Sequence, residues 1–156
     1  MRKRVVKAGP PERMPQETWL DVERVAQVEV TSEDAAHPIE AALLHGRGSG
    51  WRAAEPGEQS IRLIFDQAVP VRRIWLHFVE PATERTQEFV VRWSPDRGES
   101  FRDVVRQQYT FSPRGATSEV EDLRVNLSGV TVIELTINPD QGRGEAHASL
   151  AQWRMA

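Results

Sequence analysis

Cysteine is absent from this 156-residue chain, so no disulfide staples it and no thiolate can act as nucleophile or metal ligand. No stretch approaches the ~20 consecutive apolar residues of a membrane-spanning helix, and no membrane partner is expected. The pattern of a secretory leader is missing too. Arg2-Lys3-Arg4 offers a basic start, but only Val5 and Val6 follow before Lys7 and Pro10-Pro11. A cytoplasmic location is the resulting expectation. Charge of one sign does not dominate: the formal net charge is -3, which argues against strong non-specific attraction to nucleic acid or anionic lipid. Lysine occurs only at positions 3 and 7, every other fixed cation being arginine. We read that bias as a genomic composition effect rather than a binding signature.

Catalytic constellations are equally scarce. His37, His45, His77 and His147 show no ligand spacing with one another or with acids, so neither zinc nor another metal cofactor is expected. Gly48-Ser49-Gly50-Trp51-Arg52-Ala53 leads toward strands instead of out of a strand into a helix, which excludes a dinucleotide loop. Gly46-Arg47-Gly48-Ser49-Gly50 puts no serine at the centre of a nucleophile elbow. Glu119, Glu121 and Asp122 crowd one strand exit, and nothing sets them on two sides of a substrate. No enzyme is expected from these residues.

What the chain does have is period-two alternation. Ala26, Val28 and Val30 share a face, as do Ile61, Leu63 and Phe65, then Ile74, Leu76 and Phe78. Phe89, Val91 and Trp93 follow, then Leu123, Val125 and Leu127, then Ile133, Leu135 and Ile137. Many short strands, each with one apolar face, specify two antiparallel sheets packed face to face. One short helix is predicted over about Pro38 to Leu44, with proline in its first turn and Gly46 beyond its end. Residues 1–18 hold three prolines and a net charge of +3 without periodicity, and read as an arm, mobile or docked, ahead of a sandwich over 19–156. Short links are predicted at 66–70, 94–100 and 128–129, and long ones at 46–59, 80–86, 109–117 and 139–147. If successive strands run up and down, the long connections alternate and gather at one pole, where such scaffolds carry binding surfaces.

The order of motifs resembles that of discoidin domains, the coagulation-factor type C or galactose-binding-like sandwiches, and is similar to family 32 carbohydrate-binding modules. Val30-Thr31-Ser32-Glu33 with His37-Pro38 and Ala41-Ala42-Leu43 looks like their first strand and short helix. Gly50-Trp51-Arg52-Ala53 is similar to their tryptophan after the first long loop, and Gln59 to Phe65 and Val71 to Leu76 to the strands that follow. Glu88-Phe89-Val90-Val91-Arg92-Trp93-Ser94 with Asp96-Arg97-Gly98, and the closing Ser149-Leu150-Ala151-Gln152-Trp153, complete the series. The resemblance implies an all-β, two-sheet antiparallel jelly-roll and a non-catalytic binding role, most often for carbohydrate. It also implies where calcium would sit in many sugar-binding relatives. Here Leu44-His45-Gly46-Arg47-Gly48 offers no acid, and Gln152 stands where the family often has glutamate. A metal-free domain is therefore expected.

The candidate ligand-binding residues are Arg47, Trp51, Arg52, Arg85, Tyr109, Arg114 and Arg143. Trp51 is either a stacking platform for a sugar, with Arg52 as hydroxyl donor, or a tryptophan closing the sandwich end. The arginines form either a cationic cup for a small polar or anionic ligand, or ion pairs with Glu55, Glu58, Glu84 and Glu145 of the same loops. Tyr109, Phe111 and Pro113 make either an exposed aromatic patch or a satellite cluster. Trp75 and His77 point outward, either covered by the arm or a second protomer, or standing as a lone surface pair. The alternative function is that of an intracellular protein-interaction or scaffold domain, with a protein partner in place of the sugar.

Overall fold

The computed structural model describes residues 1–5, 13–142 and 144–156. Its elements are α1 (Val22–Val25), β1 (Ala26–Val30), α2 (Glu40–Leu43), β2 (Trp51–Pro56), β3 (Gln59–Val79), β4 (Arg85–Ser94), β5 (Arg102–Phe111), β6 (Ser118–Asn138), β7 (His147–Leu150) and β8 (Gln152–Met155). The expected α2 forms; α1 was not foreseen.

Strands β3 and β6 dominate the architecture. Each runs for 21 residues, and they pair antiparallel from Gln59 opposite Ile137 to Val79 opposite Ser118. The expected short links at 66–70 and 128–129 are therefore corrected: they are bends within continuous strands. Register shifts between Ile64 and Val69, Val69 and Val71, and Val71 and Arg73 mark bulges that let the paired ribbon fold over itself. One half carries β1 on β3 and β4 with β5 on β6; the other carries β8 on β3. The two halves are the layers of a two-sheet antiparallel jelly-roll sandwich, with β2 and β7 as a separate pair. Bending frees the carbonyls of Phe65 and Asp66, and Arg97 donates to both at 2.7 and 2.9 Å. Ser100 and Ser94 in turn donate to Asp96, and hold its carboxyl down at about 2.

The alternating apolar residues fill the space between the layers: Ile61, Leu63, Phe65, Leu76, Phe78, Phe89, Val91, Leu135 and Ile137 are all buried. Trp75 points away from that core yet is only 1% exposed, which is the covered alternative and not the lone surface pair. It lies opposite Arg154 and beside Arg73, so its surroundings follow from theirs. Arg154 donates to the Ala42 carbonyl of α2 at 2.7 Å, while Arg73 pairs with Asp122 and Glu17 and stacks on Trp19. The helix and the Glu17–Leu20 segment thus border the indole. Trp75 is no exposed anchor for a partner.

Gly50 shows how tightly β2 meets its partner. Its φ is +123°, and a Cβ there would stand 2.6 Å from the Leu150 carbonyl oxygen. Neither the dihedral nor the backbone contact can relax cheaply. Gly50→Ala is expected to cost on the order of 2 kcal/mol, measured by urea unfolding with an unchanged m-value.

Candidate functional site

Folding the β3–β6 ribbon returns both of its ends to the same pole. Glu80 N–H donates to the Thr117 carbonyl at 2.8 Å, Gln141 N–H to Thr86, and Gly57 N–H to Ala146. The connections at 80–84 and 112–117 and the described residues 139–142 and 144–146 therefore meet there, joined by the far end of β2. The long connection expected over 46–59 is divided. Its second part is β2, opposite His147 at Pro56, whereas Gly48 stays beside Ala41 of α2.

Arg85 ties the pole together. Its side chain is 1% exposed; Nε donates to Glu80 at 2.8 Å and Nη1 to the Pro139 carbonyl at 2.9 Å and Gln87 at 3.2 Å. The guanidinium also lies 4.8 Å from the Phe111 ring centroid. Burial works to raise the Glu80 carboxyl, but Arg85 and the Ala82 N–H outweigh it and hold it below the usual carboxylate range. Glu80 thus offsets the charge of Arg85 inside the protein, while Nη2 has no hydrogen-bond partner there among the described residues and the residue borders the cleft beside Arg52.

The remaining candidates separate. Trp51 is 2% exposed and its Nε1 donates to the Ser32 carbonyl at 3.0 Å, so the indole closes the sandwich end and offers no stacking face. Tyr109 is half-buried, packs edge-on against Phe111 at 4.9 Å and donates to the Ser118 carbonyl at 3.1 Å. That is the satellite-cluster reading. Arg47 stands away from the pole, 3.5 Å from Glu23 of α1. Arg114 is exposed at the tip of the 112–117 turn. Arg143 lies outside the described residues.

Arg52 is the candidate that faces open space. Its side chain is exposed and, among the described residues, has no hydrogen-bond or ion-pair partner; only its backbone is bonded, to Asp34 and His37. It lies at the junction of two clefts. One, of about 440 Å³, is lined by Glu80, Glu84, Arg85, Asp140, Glu145 and His147. The other, of about 280 Å³, runs past Glu33, Asp34 and Ala54. His147 Nδ1 donates to the Ala53 carbonyl at 3.0 Å, which fixes the ring beside Arg52. The Asp34 carboxyl is held low first by the Ala36 N–H, then by His37, with the Arg52 charge adding to both. With Glu80 offsetting Arg85, Arg52 is outnumbered among the described residues by Glu84, Asp140 and Glu145. Among the described residues, the alternative of a cationic cup gives way to an acidic cleft beside the free guanidinium of Arg52. Sequence reading missed Asp140 and His147 as wall residues because neither forms a motif. The β2–β7 pairing brings His147 to Arg52, and the folded ribbon brings Asp140.

Among the described residues, no group of three or more acids or histidines is placed to hold a metal ion. Glu119 is a different anomaly. It lies opposite Phe78 and shares its inward face, 4% exposed, with no N–H or O–H donor among the described residues reaching either carboxylate oxygen. Burial first, and then the neighbouring Glu121, push its carboxyl up to about 8, so it is protonated at neutral pH and can donate to Glu121.

No family model and no characterised protein sequence matches the chain. Solved structures do. A CBM32 module of AlyQ in complex with 4,5-unsaturated mannuronic acid superposes with a TM-score of 0.64 at 15% identity, covering 90% of this chain and 98% of that one. A Clostridium perfringens CBM32 module in complex with GalNAc-β-1,3-galactose gives 0.63 at 16% identity, covering 88% and 99%. A chitosan-binding module from a Paenibacillus chitosanase/glucanase gives 0.56 at 16% identity, covering 86% and 97%. Sequence motifs, folded ribbon and these superpositions agree: the chain has the discoidin-like, galactose-binding β-sandwich fold of family 32 carbohydrate-binding modules.

Proposed function

We propose that this domain is a non-catalytic carbohydrate-binding module that takes its ligand at the loop pole, with Arg52 as the principal donor. The observation that carries this reading is the unpaired Arg52 guanidinium between two clefts, beside acceptors on Glu84, Asp140 and Glu145. A sugar hydroxyl both donates and accepts, and an unpaired arginine fork beside carboxylates answers both needs. The excess of acids favours a hydroxyl-rich neutral sugar over an anionic one. That the fold is shared with modules solved with sugars bound supports the ligand class.

Arg52→Ala is expected to weaken sugar binding at least tenfold in calorimetric titration while leaving the melting temperature within a degree or two, since the side chain makes no internal bond. Unchanged affinity for every sugar that the unaltered domain binds would move the site elsewhere.

A further inference from the structure

We propose that the concave outer face of the β1–β3–β6–β4–β5 layer is a second binding surface, for a neutral, extended oligosaccharide lying across the strands. This groove has a volume of about 580 Å³, within the range of small-molecule sites; it shares no lining residue with the two clefts at Arg52, and meets the pole only where Glu88 accepts from Gln141. Its floor is formed by Ser60 and Arg62 of β3, Glu134 and Thr136 of β6, and Val90 and Arg92 of β4.

Three observations separate this face from an ordinary solvated one. First, it is recessed. Val90 and Glu134 both point away from the core, yet they are 9% and 3% exposed. Second, its donors are held in place. Arg62 Nε donates to Glu134 at 2.6 Å, and Arg92 donates to the other oxygen of the same carboxylate through Nε at 3.2 Å and through Nη2. Both guanidinia also stack on Phe101, at 5.1 and 4.9 Å from its centroid. Arginine forks fixed in this way lose little freedom when a ligand arrives. Third, unused hydrogen-bonding capacity of both signs remains. Among the described residues, both terminal nitrogens of Arg62, Nη1 of Arg92, the Asn138 amide and the Asp103 carboxylate have no side-chain partner.

Charge decides the ligand class. Arg62, Arg92 and Arg106 face Glu58, Glu88, Asp103 and Glu134, so the groove carries nearly balanced charge with a slight acidic excess. A polyanion gains nothing there, whereas hydroxyls can bond to both kinds of group. The Ser60 and Thr136 hydroxyls, 3.0 Å apart, continue the same surface across the β3–β6 pair.

The test is a titration of the isotope-labelled domain with cellohexaose, xylohexaose, mannohexaose and laminarihexaose, followed by amide chemical shifts. At least one sugar is expected to shift the amides of Ser60, Val90 and Thr136. Thr136→Trp, which fills the groove without breaking an ion pair, should weaken that binding at least tenfold; Arg52→Ala should leave it intact. Should the tryptophan variant fail to melt cooperatively, Asn138→Ala replaces it, with a several-fold loss expected. Hexagalacturonate should bind at least tenfold more weakly than the best neutral sugar. Groove amides that stay still with all four sugars, or shifts confined to Arg52, Thr83 and His147, would overturn the second surface without touching the loop-pole proposal. Hexagalacturonate binding as tightly as the neutral sugars would overturn the ligand class.

Discussion

Glu119→Gln is expected to raise the melting temperature at pH 8–9 and to leave it nearly unchanged near pH 4. The carboxyl sits on the core side of β6 opposite Phe78, and burial together with Glu121 pushes it from 4.5 to about 8. In the unfolded chain it titrates near its ordinary value. Between those two values the unfolded state has released a proton that the folded state still holds. Stability therefore falls as pH rises from about 4.5 to about 8, and this contribution is flat above that window. A shift of this size corresponds to a few kcal/mol, roughly 3 after allowance for solvent screening at the sheet end. Glutamine keeps the shape and the hydrogen-bonding capacity while removing the ionisation. Thermal melts of both proteins across pH 4–9 check the point, and parallel pH profiles for the two would contradict it.

Arg85→Ala should be the more damaging change. It removes a guanidinium that bonds Glu80, Gln87 and the Pro139 carbonyl and lies against Phe111. The alanine leaves a cavity, an unpaired carboxylate and an orphaned backbone carbonyl. Breaking one partner of a buried pair costs about 3–5 kcal/mol. For a domain of this size that lowers the melting temperature by on the order of 10 °C. Sugar binding at the pole should also be lost, because the 80–84 and 139–146 segments no longer share a tie. The contrast with Arg52→Ala is diagnostic: one arginine holds the pole together and the other faces the ligand. A melting temperature unchanged by Arg85→Ala would mean that the loops are held by other contacts.

The alternation of Ile61, Leu63 and Phe65, and of Ile133, Leu135 and Ile137, reads directly as half-buried strand, and these residues are the core. The bends were not legible. Asp66-Gln67-Ala68-Val69-Pro70 is polar, carries proline and reads as a turn, yet bulges let the strand continue and Arg97 satisfies the carbonyls set free. Paired charges were misread for a related reason. Arg85 and Arg52 look alike in sequence, and only the folded ribbon decides which one meets Glu80 and which one meets solvent. Arg47 was assigned to the same pole because its loop was taken as one unit, but β2 divides that loop and leaves it with Glu23. The sheet-face groove escaped altogether. Glu88, Arg92 and Glu134 occupy the polar positions of alternating strands, and a recessed face has the same sequence pattern as a flat one.

The β3–β6 ribbon also sets the order in which the molecule can assemble. Gln59 finds its partner at Ile137 and Val79 at Ser118, so β4 and β5 lie wholly within the segment that this pairing closes. Such distant partners incur a large closure entropy before any contact rewards it, which places this domain among slow-folding topologies. During synthesis, the long apolar strand that begins at Gln59 can pair with β1 over Ile61–Phe65 only, and the rest must wait until its mate has been made.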